Sequence, residues 1–519
     1  MKSWMTLAAG GVVALAVVGC STYSPSEEPL VDVSNRALAG KARVQAIDAA
    51  RERVAADPGR TATTQRVLKD VAWTASEPTT VRMAAIGALL DDPSEAVRAD
   101  AKEMVKLLLP RERSLAVVIY LSEVAKARRW TDAIPALIRS YSRSVESLGW
   151  TGGIRDADRP ERDAIIALSE GRAIEEVVFG VFLKPPAVQD TLGADWEARL
   201  RSDAWDLLAR LDRDGTQRRR MVGAVPPGEA EIVEQIRRCV RDLRAMPLTG
   251  DELRWLSRLL DAKKTGNAEW WSQAAAAIAT LPPEVQLSMR HAEPVRWASV
   301  AHKEWLGASK EELLGVLRAR LEKRRIWERN VEQARYRVRE RLDHWAPTME
   351  WADVLALLIA DEVVHEPGVL KAITAQAELD RNDQTTEYGG AILRKNVGLG
   401  TIPREEWVAM LFPPRPGQRQ GDERFVASDD MLNASDAALL HYHMHVQKER
   451  NEQYAGPSPG DLIYAARFGR SCVVFTSVGK GGRMNVDYYQ PDGVVVDLGE
   501  VEPPAVEVDS GMRRGIGPR

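Results

Sequence analysis

The chain has 519 residues, 45% of them hydrophobic and 28% charged, with 71 Lys and Arg against 75 Asp and Glu. That length allows several domains, and the composition can bury a full core, which excludes a disordered tail. A net charge of −4 excludes a nucleic-acid partner, which would need a basic excess, and three cysteines exclude a disulfide-stapled scaffold or a cysteine-built zinc protein.

Residues 1–19 read as an export leader. Lys2 supplies a positive start, and residues 4–18 form an apolar run shorter than the roughly 20 residues a membrane span needs. The run closes on Val17-Val18-Gly19-Cys20, followed by polar Ser21-Thr22-Tyr23. Small residues directly before a cysteine resemble the lipobox of bacterial lipoproteins. That resemblance implies acylation at Cys20 and a mature chain tethered by lipid in the bacterial cell envelope. By the same analogy Ser21 favours the outer membrane, facing the periplasm. A plain signal peptide with a chance cysteine is the alternative. The two other thiols, Cys239 in a helical pattern and Cys472 in a strand-like one, read as buried and free.

Residues 20–60 mix a polar tether with one short helix near 37–56. From 61 to 346 the pattern is helical throughout. Val81, Ala84, Ala85, Ala88 and Leu89 lie on one face at helical period, and Asp91-Asp92-Pro93 ends that helix. The recurrence of Val81-Arg82-x-x-Ala85 as Val97-Arg98-x-x-Ala101 resembles HEAT-like helical pairs, although a full repeat of that class needs about 40 residues. An ordinary bundle explains it equally well. Further helices are predicted at 195–211, 229–244, 250–262 and 267–281, separated by Pro-Pro and Gly breakers. Ser309 and Glu312 form a capping box that opens a long helix predicted to reach His344. No catalytic carboxylate pair, phosphate loop or metal spacing occurs in this region, so it reads as scaffold or recognition surface.

Chemistry concentrates in residues 347–500. Thr386-Glu387-Tyr388-Gly389-Gly390 places a carboxylate at the mouth of a predicted strand. The loop 413–424 follows and is expected to cover a cleft. His441-Tyr442-His443-Met444-His445 lies in a predicted strand, 437–447, where period two puts three imidazoles on one face. Neighbouring imidazoles on a rigid strand can bind one divalent ion, and zinc accepts them readily. An exposed polar strand face is the plainer reading. Ser458-Pro459-Gly460-Asp461 marks a helix start, with Pro at the first helical position. There Ser458 serves as N-cap and Asp461 complements the helix dipole. Residues 472–477 and 485–498, with Pro491-Asp492-Gly493 as a turn, read as closing strands.

In order, Glu-x-Gly-Gly, His-x-His on a strand and Ser-x-x-Asp at a helix start resemble the JAMM (MPN-type) metalloprotease family over about 150 residues. The resemblance implies Zn2+ held by His443, His445 and Asp461, with a water in the open fourth position. It makes Glu387 the general base and Ser458 a donor to the oxyanion. The stretch from His445 to Asp461 is longer than is usual in that family, so the loop 447–456 is expected to bulge outward. The third imidazole leaves the register open, with His441 as alternative ligand. His443 with His445 is preferred because it leaves less loop to accommodate.

The expected fold class is therefore α+β and multidomain. A large all-α region, helical repeat or bundle, precedes a smaller α+β JAMM-like domain, and residues 501–519 form a flexible tail. The expected function is a lipid-anchored zinc metallopeptidase acting on a protein or peptide substrate. The alternative is a non-enzymatic envelope scaffold whose JAMM-like domain is inactive.

Overall fold

The computed structural model describes residues 24, 26–150, 154–186, 195–264, 266–327, 339–396 and 405–502. The expected leader, Cys20 and the tail from residue 503 lie outside these. The chain is α+β: among the described residues there are helices alone up to Arg381 and, after it, the strands with the helices Asp429–Ala434 and Pro459–Phe468 among them. It divides after Ile174 into two compact units. Among the described residues no helix is long and apolar enough to cross a membrane.

The first unit is helical. Helices Gly40–Ala56, Thr61–Trp73, Thr79–Leu90, Glu95–Leu108 and Leu115–Ala127 turn apolar stripes inward, burying Ile47, Leu68, Val81, Ile86, Val105 and Leu121. Two buried arginines repeat one device. Arg43 donates through Nε to the Val33 carbonyl, ten residues earlier, at 2.8 Å and pairs with Glu77. Arg82 donates to the Ala72 carbonyl, also ten residues earlier, at 3.0 Å and pairs with Glu112. A buried guanidinium needs its donors occupied, and each of these ties its helix to the backbone before it and an acid after it. Arg98 sits differently: it is half-buried and donates to the Asp92 and Pro93 carbonyls. The counterpart of Arg82 is thus Arg43, and the Val-Arg recurrence at 97 is not an equivalent position.

The second unit carries the sheet. Its four predicted helices appear as Asp195–Leu211, Glu231–Leu243, Gly250–Leu259 and Asn267–Ala279. The helix opened by Ser309 forms its capping box but stops at Leu321, and a separate helix occupies Leu342–Trp345. Tertiary contacts override the propensity of the charged run here. Arg320 and Arg324 close on the buried carboxylate of Asp361. Two points of the chain beyond Arg324 meet the last strand: Glu500 N–H donates to the Arg325 carbonyl at 2.9 Å and Asp497 N–H to the Glu340 carbonyl at 2.8 Å. That covers what would be an open sheet edge.

Eight strands are described: β1 Thr386–Glu387, β2 Gly389–Asn396, β3 Glu405–Leu411, β4 Gly421–Phe425, β5 Leu440–His445, β6 Cys472–Ser477, β7 Met484–Tyr489 and β8 Val495–Val501. β1 and β4 pair in parallel as a two-stranded sheet, and the others form one sheet in the order β3-β2-β5-β6-β7-β8. Only β5 and β6 run parallel in the larger sheet. A parallel pair needs a crossover, and here it carries the helix Pro459–Phe468. That helix packs over one face of the sheet, with Ala465, Cys472, Val474, Tyr489 and Val495 in one apolar cluster. On the opposite face the Tyr442 hydroxyl donates to Gln376 of the helix Pro367–Arg381. Cys239 and Cys472 are buried and free, and burial raises both thiol pKa values, which keeps them inert.

The helix Gly250–Leu259 belongs to this unit as firmly as the strands do. Trp255 Nε1 donates to the Asp436 carbonyl at 2.7 Å, and the Arg470 guanidinium lies 3.3 Å from the Trp255 ring centre. Arg258 pairs with Asp436 at 2.9 Å.

Candidate metal centre

Strand period places His441, His443 and His445 on the face of β5 covered by the helix Pro459–Phe468, opposite Cys472, Val474 and Thr476 of β6. This face is not exposed: His441 and His443 are each 1% accessible. The crossover helix brings Asp461 to His443, with Oδ1 3.3 Å from Nε2. The short β1 strand brings Glu387 to His445, with Oε1 3.3 Å from Nε2. Ligand atoms of Glu387, His443 and His445 lie within 4.8 Å of one another, a spacing that one metal ion can bridge. Glu387, His443 and His445, from β1 and β5, therefore form the group that could hold an ion, while Asp461, expected as the carboxylate ligand, stands outside it and meets His443.

His441 does not join them. Its Nδ1 meets the Tyr464 hydroxyl at 2.8 Å and its Nε2 the Ser435 hydroxyl at 3.1 Å. Both ring nitrogens are engaged, and burial holds its pKa well below the usual histidine value. Of the two histidine pairs, 443 and 445 face the carboxylates.

The two glycines after Glu387 have a steric reason. A Cβ on Gly390 would sit 1.9 Å from the Met410 carbonyl oxygen, and one on Gly389 would sit 2.4 Å from both the Tyr442 carbonyl oxygen and the Phe425 ring. Bare backbone lets β2 pass between β3 and β5 while Phe425 lies over the site. Phe425 stacks on His443 at 5.6 Å between ring centres. The loop expected to act as a cover is tied down instead. It forms β4 beside β1, and Arg419 holds Asp383 and the Thr385 hydroxyl, each at 2.8 Å.

The electrostatics of the site are those of trapped protons. Burial pushes Glu387 up to about 8, aided by Asp461 and Asp422 and opposed by His443 and a hydrogen bond from Phe425 N–H. Burial disfavours a charged His443, but Asp461 first, then Glu387 and Asp380, outweigh it and raise its pKa to about 9. Asp461, though burial opposes its charge, is held well below the usual carboxylate range by His443, His445 and Ser458 N–H. His443 Nε2 is buried and has no aligned hydrogen-bond acceptor, so its 3.3 Å approach to Asp461 is an ion pair without a proper hydrogen bond. A buried imidazole nitrogen left in that state, between carboxylates and a second imidazole, is a donor set that suits zinc.

Ser458 caps the crossover helix. Its Oγ accepts Asp461 N–H at 3.3 Å, and its N–H donates to Asp461 Oδ2 at 2.6 Å. The cap orients Asp461 and leaves the serine hydroxyl hydrogen for an acceptor beside the site. Ser458→Ala is expected to cost about 1 kcal/mol of stability and to slow turnover by about 10²-fold. Denaturant melts together with steady-state rates check this; an unchanged rate would leave Ser458 as a cap only.

No family model, curated protein or solved structure matches this chain. The site therefore rests on its own geometry.

Three contributors lay outside the sequence reading. Asp380 is buried, its Oδ1 accepts Tyr388 N–H at 3.2 Å, and its Oδ2 has no hydrogen-bond partner. Burial, with Asp422 and Glu387 nearby, pushes it to about 8. It lies on the buried stripe of its helix with Val369, Ile373, Gln376 and Ala377, and a carboxylate on an apolar stripe is a signal that periodicity can find. The Tyr489 hydroxyl meets His443 Nδ1 at 3.3 Å. The Tyr454 carbonyl meets His445 Nδ1 at 2.8 Å; a backbone acceptor leaves no trace in the sequence.

Proposed function

We propose that the chain is a zinc-dependent peptidase of the JAMM type that hydrolyses a peptide or isopeptide bond. The observation that carries this reading is the convergence of Glu387, His443 and His445 about one point, with Asp461 against His443, in a donor set whose buried His443 Nε2 has no hydrogen-bond acceptor. His443, His445 and Asp461 would hold the ion. Zinc, when bound, supplies a water of lowered pKa and polarises a carbonyl.

The protein side chains handle the proton and the charge. Glu387 is buried beside His445; burial makes it a strong base, and a cation held by the histidines would favour the ionised form that can accept a proton near neutral pH. It takes the proton from the attacking water and returns it to the leaving amine. The Ser458 hydroxyl donates to the oxygen on which negative charge develops. Asp461, fixed by the helix cap, holds His443 in place. Phe425, stacked on His443, shields that side of the site from water.

The rest of the chain fits an envelope role in the same reading. Acylation at Cys20 would anchor the protein to a membrane, and the first helical unit would bind substrate or partner. The repeated Arg43 and Arg82 device, on the order of 40 residues apart, supports a HEAT-like repeat for that unit. The test is cleavage of a peptide library by the chain lacking residues 1–20, with and without a chelator. Chelator-sensitive cleavage is expected; zinc-loaded protein that cleaves nothing would favour the scaffold reading.

A further inference from the structure

The loop between β5 and the crossover helix does not simply bulge outward. Its charged residues 448–450 face solvent, but Asn451 is 2% accessible. Asn451 N–H donates to the Ser477 carbonyl at 2.8 Å, which clips the loop to the end of β6. Its side-chain amide donates to the His445 carbonyl at 3.2 Å and to Gln447 Oε1 at 2.8 Å. Gln447 in turn donates to the Asp422 carbonyl at 2.6 Å. From Asn451 a single 3-10 turn, Glu452–Tyr454, closes with Tyr454 N–H on the Asn451 carbonyl at 2.8 Å. That turn aims the Tyr454 carbonyl at His445 Nδ1.

A carbonyl can only accept, so His445 Nδ1 must carry the hydrogen. In the neutral ring its Nε2, which faces Glu387, is then left with the lone pair. In free histidine the opposite tautomer predominates. We propose that Asn451 is a positioning residue: by holding the 3-10 turn against β5 and β6 it fixes His445 as the Nδ1–H tautomer, with Nε2 ready to bind a metal. This rests on the peptidase reading for its purpose, not for its geometry. The additional loop residues become a clamp that acts on one ligand. Outer partners of this kind are worth 10- to 100-fold in metal affinity.

The test uses the full chain without metal, with ¹⁵N-labelled histidine and long-range ¹H–¹⁵N correlation to read the tautomer of His445. Wild type should show Nδ1–H at His445, and Asn451→Ala should show a mixture. Zinc affinity, measured by competition with a chromogenic chelator, should fall about 10- to 100-fold in Asn451→Ala, with the His443 ring resonances unchanged. Asn451→Asp keeps the volume and the backbone clip but loses both donors, so it should fall with Ala if the latter folds poorly. Wild-type His445 in the Nε2–H form, or both variants with unchanged tautomer and zinc affinity, would overturn the proposal. The tautomer is read without metal, so a chain that binds no zinc would refute the peptidase reading separately.

Discussion

Glu387→Gln should leave about one zinc per chain in place and lower turnover by roughly 10²–10⁴, the usual size of a general-base contribution. Glutamine keeps the length and the hydrogen-bonding of the side chain but cannot take a proton. The site already shelters Glu387 from water and surrounds it with Asp461 and Asp422, which is why its pKa stands near 8. The neutral amide suits that environment, so the folded state should not suffer. A variant that keeps wild-type rates would remove Glu387 from the chemistry. One that loses its zinc would make Glu387 a ligand, a role its place beside His445 also permits.

His443→Ala combined with His445→Ala should abolish zinc binding, measured by metal analysis of protein purified without a histidine tag. His441→Ala should retain it, because both His441 nitrogens are spent on Tyr464 and Ser435. The double variant also strips the ionised Asp461 of the His443 charge that holds its pKa down, which leaves a buried carboxylate unpaired and a less stable chain. Zinc content unchanged in the double variant would refute the ligand assignment. Content that depends on His441 would shift the register by two residues. In wild type the site holds a proton on His443 up to about 9, and an incoming ion must displace it. Zinc affinity should therefore rise with pH across that range, which titrations at several pH values can check.

Much of the site could be read from the chain because its parts are encoded by short periods. Alternation alone put three histidines on one strand face, and Pro459 after Ser458 marked the helix that delivers Asp461. The pair Gly389-Gly390 could be noticed but not explained, since the atoms it avoids belong to Met410, Tyr442 and Phe425. The long charged helix after Ser309 failed for a different reason. Arg320 and Arg324 find a buried carboxylate on another helix, and a local pattern carries no information about that partner. The loop 447–456 looked like surplus because its work is done by backbone carbonyls and one asparagine, none of which has a sequence signature. Loop length favoured His443 with His445 but could not show what His441 does; the Ser435 and Tyr464 hydroxyls that occupy it are outside the motif's spacing.

The packing of Trp255 against Arg470 has a consequence for how this protein can be divided. A fragment starting at residue 347, where the motif-bearing region begins, would discard the helix Gly250–Leu259. Arg470 would lose the ring it lies on, Asp436 would lose Arg258, and the turn at Gly469, packed closely on Glu252, would stand uncovered. Arg470 directly follows the turn that ends the Asp461 helix, so slackness there passes to Asp461 and its contact with His443. Folding of the centre and of the helix Gly250–Leu259 should therefore be coupled. A substitution such as Trp255→Ala, far from any ligand, would then register as weakened zinc retention.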